Sequence, residues 1–183
     1  MSSSSSSHPR FPKTAVDLSS KEAAPAKSWY ANKIWGKQIR DDDTLFEVMS
    51  LQVFQAGLGW NMILKKRDGF RAAFHDWSIP VVAGFGVTDV ENLTNDTRII
   101  RNRLKIQAVV YNAQIIQKIQ GKYGGFSHWF YDILEGVAYP SLQKILSKHF
   151  KFMGPELSRM WLMASGRISR AEGETYKPGV NGR

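Results

Sequence analysis

Apolar residues recur at helical spacing along most of this chain, and the clearest stretch covers residues 42–67. Gln52 lies on the same helical stripe as its apolar members, which are Leu45, Val48, Met49 and Ala56. Asp42 or Asp43 is the expected N-cap, and Gly57 is expected to end the helix because glycine tolerates the left-handed conformation. On periodicity alone, Gln52 is a satisfied polar group inside a core helix.

Other segments predict further helices, and none shows the alternating pattern of a strand. A second apolar run is expected to form one helix from about residue 62 to residue 74. Thr88 and Glu91 are spaced as a capping box for a short helix, and a long helix is predicted over residues 102–120. The sequence therefore predicts an all-α fold, a two-lobed helical globule with a cleft between the lobes.

Aromatic residues cluster before the helix that is expected to end at Gly57, and another aromatic residue lies just after it. Trp29, Tyr30 and Trp35 lie within seven residues, and Trp60 follows Gly57 closely. Such a cluster predicts either a hydrophobic plug over the core or an aromatic clamp for a flat ligand. The pattern alone favours the plug.

Two segments have the composition of a phosphate-binding surface. The apolar turn of Lys151, Phe152, Met153 and Gly154 lies between two predicted helices. A glycine turn lets backbone approach a phosphate, and the next helix directs free N–H groups towards it, although an ordinary helical hairpin has the same pattern. A second, basic cluster opens the long helix and is either a solvated face or a phosphate contact; it comprises Arg101, Arg103 and Lys105.

Composition narrows the classes of function. The 183 residues contain no cysteine, which excludes disulfides, thiolate zinc sites and cysteine nucleophiles. The formal net charge of +9 suits a polyanionic partner such as nucleic acid. No apolar run is long enough for a membrane span, and no signal-peptide core precedes the first helix, so we expect an intracellular protein that does not enter membranes.

Six sequence words occur in order at compatible spacing: LFEVMSLQVFQAGLGW, ILKKR, FRAAF, DVENL, IIRNRLKIQAVVYNA and FKFMG. Together they resemble the 3-methyladenine DNA glycosylase I family, a group of helix–hairpin–helix DNA glycosylases. The resemblance covers about three quarters of the chain. It implies an enzyme of base-excision repair that flips an alkylated nucleotide out of DNA and hydrolyses its N-glycosidic bond.

The resemblance also assigns roles to particular residues. It places Tyr30, Trp35 and Trp60 in the aromatic pocket for the extruded base, and it gives Gln52 the position that binds the base and serves catalysis. It implies that the turn of residues 151–154 is the DNA-binding hairpin. Clustering alone makes Arg101, Arg103 and Lys105 candidates for a further contact with the DNA backbone. Double-stranded DNA containing alkylated purines is the implied partner, and we expect a monomer without a cofactor.

This chain departs from the family at two places. The family has a glutamate where Gln52 stands, so the negative charge that would favour a cationic base is missing. Glu47 matches a helix-surface position and is not a replacement. The family's structural zinc ligands are also missing, because Leu18, Ala171 and Thr175 stand at the corresponding positions; we therefore predict no metal site.

The predicted organisation is a disordered tail of residues 1–27, a glycosylase-like domain of residues 28–170 and a flexible basic tail of residues 171–183. Two functions follow from the resemblance and its departures. The first is an active 3-methyladenine glycosylase whose rate is reduced by Gln52. The alternative is a catalytically weak or inactive homologue that binds DNA and senses lesions. The implied location is the cytoplasm and nucleoid of a bacterium or the nucleus of a eukaryote.

Overall fold

The computed structural model describes residues 18–179, and the side chains of residues 24–179. The described residues form eleven α-helices joined by short turns and contain no strand, so the predicted all-α fold class is confirmed. The helices are α1 (Leu18–Trp29), α2 (Asp42–Gln55), α3 (Trp60–Lys65), α4 (Arg67–Ala73), α5 (Ile79–Ala83), α6 (Val87–Thr94), α7 (Arg103–Tyr123), α8 (Phe126–His128), α9 (Tyr139–His149), α10 (Pro155–Ala164) and α11 (Arg170–Thr175).

Helix α2 is the centre of the fold. All ten residues from 45 to 54 are buried, so the helix is enclosed on every side and does not present one apolar stripe alone. It packs against α7 and α10, and a single hydrophobic core runs through all three helices. A polar side chain in this part of α2 therefore has either a protein partner or a place in a cavity.

The three aspartates before α2 have separate partners. Asp41 is the N-cap, because its Oδ2 accepts a hydrogen bond from the backbone N–H of Thr44 at 2.8 Å. The prediction that Asp42 or Asp43 caps the helix is therefore wrong. Asp42 instead accepts from the backbone N–H groups at the start of α8, and Asp43 accepts from the N–H of Ile79 at 3.2 Å. Their carboxylates tie distant segments to the start of α2.

Three other predicted boundaries differ from the structure. The helix predicted over residues 62–74 is two helices, α3 and α4, separated at Lys66. The N-cap of α6 is Gly86, whose N–H donates to Asp89 Oδ2 at 2.8 Å, so Thr88 and Glu91 do not form the predicted capping box. The long helix α7 continues to Tyr123 before left-handed Gly124 ends it.

Helical structure extends beyond the predicted domain at both ends. Helix α1 begins at Leu18, inside the segment predicted to be a tail, and Ala26 is buried. Helix α11 lies in the predicted C-terminal tail, and its Gly173 is also buried. Residues 1–17 of the tail predicted to be disordered lie outside the described residues. Within the described part of the chain, no helix is both long and apolar enough to span a membrane.

Candidate functional site

A cavity of about 170 Å³ opens beside the C-terminal end of α2, where α3 and α10 approach it. It is smaller than the roughly 300–1,000 Å³ pockets that bind drug-sized ligands, which suits one small planar molecule. Six residues line it: Tyr30, Trp35, Gln52, Gln55, Trp60 and Met160. The structure thus brings together the four residues that the sequence assigned to base binding.

A turn of π-helix, residues Tyr30–Ile34, forms the aromatic side of the cavity. Its closing hydrogen bond runs from the N–H of Trp35 to the carbonyl of Tyr30, 2.8 Å apart. Such i to i+5 turns are rare and occur frequently at functional sites. The wider turn places the Tyr30 and Trp35 rings in contact, although the two residues are five positions apart.

The three lining rings form a tilted set around Tyr30. The centroid of Tyr30 lies 4.7 Å from that of Trp60 and 5.9 Å from that of Trp35, with interplanar angles of 57° and 52°. Trp29 belongs to the same cluster in sequence but does not line this cavity. Its ring packs under the guanidinium of Arg67, whose Cζ is 3.5 Å from the ring centroid.

Two buried polar atoms of the lining residues have no hydrogen-bond partner among the described residues: Gln52 Oε1 and Trp60 Nε1. The Gln52 side chain belongs to a residue only 1% exposed, and its Nε2 donates to the Tyr30 hydroxyl at 3.4 Å. An unsatisfied buried polar group costs free energy, so a ligand that supplies both a donor and an acceptor would be stabilised here.

The lining residues are neutral at physiological pH. Burial raises the pKa of the Tyr30 phenol well above its ordinary value, although the hydrogen bond with Gln52 acts in the opposite direction. Tyr30 is therefore an uncharged phenol, and Gln52 is an uncharged amide. The cavity can stack a ring and form hydrogen bonds with it, but the six lining residues carry no charge.

Glu47 is buried and does not lie on the helix surface, so that part of the interpretation is wrong. Its Oε1 accepts from Arg67 Nε at 2.8 Å, and the same Arg67 guanidinium packs over the Trp29 ring. Burial raises the pKa of the Glu47 carboxyl above its ordinary value, while the Arg67 guanidinium lowers it. Glu47 lines a separate polar cavity of about 340 Å³ and not the aromatic one.

The turn between α9 and α10 has the helix–turn–helix arrangement that the sequence predicted. Lys151 and Phe152 are exposed, whereas Met153 is almost fully buried, so the Met153 side chain is not available to DNA. Asn112 fixes the turn, because its amide accepts from the Lys151 N–H at 2.8 Å and donates to the Lys151 carbonyl at 3.1 Å.

The left-handed residue of this turn is Phe152, with φ of 62°, and not Gly154. Gly154 has φ of −70° and ψ of −176°, a conformation that any residue can adopt. A larger residue at Gly154 would therefore not strain the backbone of the turn. A non-glycine residue with positive φ is uncommon, and the exposed Phe152 is held there by the surrounding turn.

The basic cluster at the start of α7 does not act as one surface. Arg101 and Arg103 are exposed, but Lys105 is buried and points into the protein. Lys105 Nζ donates to the carbonyl oxygens of Phe54 and Ala56, at the C-terminal end of α2. The prediction that Lys105 contacts the DNA backbone is therefore wrong, because its ammonium group satisfies carbonyls that α2 leaves unpaired.

Sequence reasoning missed two residues of the cavity. Gln55 follows Gln52 by three residues and lies on the same side of α2, so helical spacing was a usable signal. Met160 comes from α10, more than one hundred residues further along the chain, and nothing in its local sequence indicates this contact.

No group of residues suited to a metal ion occurs within residues 24–179. The segment that corresponds to the family's zinc ligands is held by other contacts. Arg159 donates to the Gly173 carbonyl at 3.3 Å, and the Tyr176 ring stacks on Tyr139 with centroids 4.0 Å apart. The donors at this place are a guanidinium and phenol rings, which do not fit a zinc ion.

Comparisons with known proteins agree with this geometry. The profile of the methyladenine glycosylase family matches residues 20–147. DNA-3-methyladenine glycosylase 1 of Escherichia coli K12 is 32% identical over 158 residues, which cover 76% of this chain and 84% of the relative.

Two solved structures are similar along most of their length. One is a Tyr→Phe variant of 3-methyladenine DNA glycosylase I in complex with 3-methyladenine; it is 29% identical, with a TM-score of 0.72 over 80% of this chain and 88% of that one. The other is a Glu→Gln variant of the Staphylococcus aureus enzyme; it is 31% identical, with a TM-score of 0.69 over 78% of this chain and 87% of that one.

Proposed function

This chain belongs to the methyladenine glycosylase family, and we propose that it removes 3-methyladenine from DNA by hydrolysing the N-glycosidic bond. The observation that carries the proposal is the aromatic cavity with its two unpaired polar atoms, Gln52 Oε1 and Trp60 Nε1. An adenine ring offers flat faces for stacking and carries both amino donors and ring-nitrogen acceptors. The cavity supports a flipped adenine base better than a pyrophosphate, a sugar or a metal ion.

Hydrolysis of the N-glycosidic bond of 3-methyladenine requires little acid catalysis from the protein. Methylation at N3 gives the purine a positive charge, so the base is a good leaving group once the nucleotide has left the duplex. Tyr30, Trp35 and Trp60 provide aromatic faces that attract a cation as well as stacking on it. Gln52 contributes an amide that can accept a hydrogen bond from the base, but it contributes no negative charge.

Specificity for the methylated base comes from its weakened bond, because the cavity supplies aromatic faces and an amide but no charged group. An undamaged adenine leaves poorly, and no lining group readily protonates it, because an amide is not an acid and burial raises the pKa of the Tyr30 phenol, which makes it a weaker acid. The cavity therefore holds adenines in general but releases those whose bond is already weakened. Stable, uncharged adducts should be poor substrates.

The DNA duplex is proposed to bind along the turn between α9 and α10. Lys151 and Phe152 are exposed there, the backbone around Gly154 is open, and the formal net charge of the chain is +9. Arg101 and Arg103 are exposed and free to contact phosphates, whereas Lys105 is not. We further propose that the protein acts as a monomer on double-stranded DNA inside the cell.

A second function, lesion sensing without efficient hydrolysis, is favoured by one observation. Gln52 stands where the family resemblance implies a glutamate, so the charge that would favour a cationic base is missing from the cavity. A protein with this pocket would bind the flipped base but hydrolyse its N-glycosidic bond slowly. The two functions differ in rate and not in the site that they use.

The deciding experiment measures base release from duplex DNA that has been methylated at adenine N3. The purified protein is placed in excess over the DNA, and free base is followed by chromatography. Release of 3-methyladenine well above the spontaneous rate supports the glycosylase. Tight binding to methylated over intact duplex without release would replace it with the sensing function, and absence of both would overturn the proposal.

A further inference from the structure

A second cavity, of about 210 Å³, adjoins the aromatic cavity. The two cavities share three lining residues, Gln52, Gln55 and Met160. The remaining residues of the second cavity come from the loop after α2 and from the start of α10; they are Ala56, Gly57, Leu58, Glu156 and Leu157. A flipped base in the first cavity is covalently attached to its deoxyribose, so the sugar must occupy adjoining space.

Glu156 brings a carboxylate to this second cavity. It lies four residues before Met160 on α10, and side chains at that spacing are neighbours on one helix face, about 5–6 Å apart. Met160 lines both cavities, so the Glu156 carboxylate lies within about one helical turn of the aromatic cavity. Glu156 lies in the first turn of α10, where the N-terminal end of the helix interacts favourably with a negative side chain.

Arg159 fixes the position of this carboxylate. Its Nε is 3.0 Å from Glu156 Oε2 and its Nη2 is 2.7 Å from Oε1, a two-point contact that allows one orientation. The Arg159 side chain is 4% exposed and that of Glu156 is 51% exposed, so the buried guanidinium holds a carboxylate that still faces solvent. Glu174 Oε1 lies 3.6 Å from Arg159 Nη1 as well, but Glu174 lines neither cavity.

We propose that Glu156 is a catalytic residue of this chain and stabilises the positive charge that develops on the deoxyribose. The proposal rests on the proposed glycosylase function. The bond between C1′ and N9 breaks with its electron pair passing to the base, which leaves as neutral 3-methyladenine while the sugar becomes cationic. A water oxygen then bonds to C1′ and loses its proton to solvent. Glu156 acts through its charge and gives up no proton.

The position of Glu156 argues against the simpler alternative, in which this residue contributes to DNA binding. A carboxylate two residues from the open backbone at Gly154 repels phosphates, so its removal should leave duplex affinity unchanged or increased. A charge that is unfavourable for DNA binding, on a residue that lines the cavity next to the base, is consistent with a role in the chemical step.

The test compares two duplexes that differ only in the charge of one sugar analogue. One carries a pyrrolidine abasic analogue, whose protonated ring nitrogen mimics the cationic sugar, and the other carries the neutral tetrahydrofuran analogue. Affinities are measured by fluorescence anisotropy for the parent, for Glu156→Gln and for Glu156→Asp. Glu174→Gln is the matched control, because it removes the other carboxylate beside Arg159 and lies outside both cavities.

We expect the parent to prefer the pyrrolidine duplex, and Glu156→Gln to lose about tenfold of that preference, with Glu156→Asp intermediate. Base release by Glu156→Gln should slow by a similar factor, while Glu174→Gln stays near the parent in both assays. A parent without preference for the cationic sugar, or equal losses in the two Gln variants, would overturn the role of Glu156. If the parent prefers the pyrrolidine duplex through Glu156 but releases no base, the interaction of Glu156 with a cationic sugar is retained and only the proposed hydrolysis is refuted.

Discussion

The ammonium nitrogen of Lys105 lies 2.6 Å from the carbonyl oxygen of Ala56 and 2.9 Å from that of Phe54. These two carbonyls belong to the last turn of α2 and the residue that follows it, where the helix leaves its acceptors unpaired. The loop after them carries Trp60 into the aromatic cavity. Lys105 therefore fixes the point from which that loop starts.

Replacing Lys105 with methionine should destabilise the protein by about 2–3 kcal/mol, because two carbonyls lose a charged donor. The free energy of unfolding in urea measures the effect. The matched control is Arg103→Met, an exposed residue on the same turn of α7, which should change stability by less than about 0.5 kcal/mol. Equal losses in the two variants would mean that the Lys105 contacts contribute no stability.

Under the proposed function, Gln52 is the residue that sets how well the cavity holds a cationic base. Restoring a carboxylate with Gln52→Glu should raise single-turnover release of 3-methyladenine about ten- to a hundredfold, since a charge-assisted contact contributes about 1.5–3 kcal/mol. Burial opposes ionisation of the new carboxylate and reduces this gain.

Two truncations complete the Gln52 series on the same methylated duplex. Gln52→Ala should lower the selectivity for methylated over intact adenine, and Trp60→Ala should weaken binding because a stacking face is lost. If Gln52→Ala keeps the fold and matches the parent in rate and selectivity, Gln52 does not contact the base, and lesion sensing becomes the better function.

The turn before α10 allows a test of backbone contact with DNA. A Cβ added at Gly154 meets no atom within 4 Å, so Gly154→Val should keep the fold and its stability. The added side chain should nevertheless hold phosphates away and weaken duplex binding several-fold with little sequence dependence. Gly121→Val, at an equally open position on α7, is the control. Anisotropy titrations in which both variants bind like the parent would contradict the assignment of the turn.

Asp42 should make part of the stability depend on pH. Burial acts to raise its pKa, but hydrogen bonds from Gln120, Phe126 and Ser127 outweigh burial and hold the pKa below its ordinary value. A carboxyl with a lower pKa in the folded state stabilises above the unfolded value of about 3.9, and this stabilisation is lost as pH falls through the folded pKa.

Asp42→Asn should therefore cost about 1–2 kcal/mol at pH 7, a magnitude typical of helix caps, and the difference from the parent should shrink below about pH 4. Urea unfolding at pH 7 and at pH 3 measures both values. A difference that stays constant with pH would show that the charge of Asp42 is irrelevant to the start of α8.

Because contacts within the protein hold α11, we expect that removing metal ions does not change the thermal stability. A chelator should leave the thermal midpoint of the parent unchanged, because Arg159 and the ring of Tyr176 hold this segment. Arg159→Leu should lower the midpoint by several degrees, since Gly173 loses its donor and two carboxylates lose their shared partner. A midpoint that falls with chelator would contradict the prediction of a zinc-free fold.

The sequence predicted the class of fold and the four residues that meet in the cavity, because both depend on local patterns or on ordered family words. It did not predict which of three consecutive aspartates caps α2, since each is chemically able to do so and only distant N–H groups separate them. Lys105 illustrates the same limit. Its position at the start of α7 matches a basic surface, and only the tertiary fold turns its ammonium group towards α2.

The local sequence pattern also did not predict that α10 contributes residues to the site. Met160 and Glu156 reach the cavities because α9 and the turn after it bring α10 alongside α2, a contact between segments about one hundred residues apart. Periodicity defines the face of such a helix but not the element that it packs against. The resemblance gave the hairpin its role without indicating that the helix behind it also lines the pocket.

Helix α10 touches the proposed DNA surface at one end and the aromatic turn at the other. Its far end accepts a hydrogen bond from Gly36 at the Ala164 carbonyl, and Gly166 lies so close to the backbone of residues 36–38 that a Cβ there would come within 2.8 Å of the Gly36 carbonyl oxygen. Ten residues of helix span about 15 Å as one stiff rod. A duplex bound at the proposed surface would therefore contact one end of the same rigid helix whose other end is fixed to the segment that follows the aromatic turn.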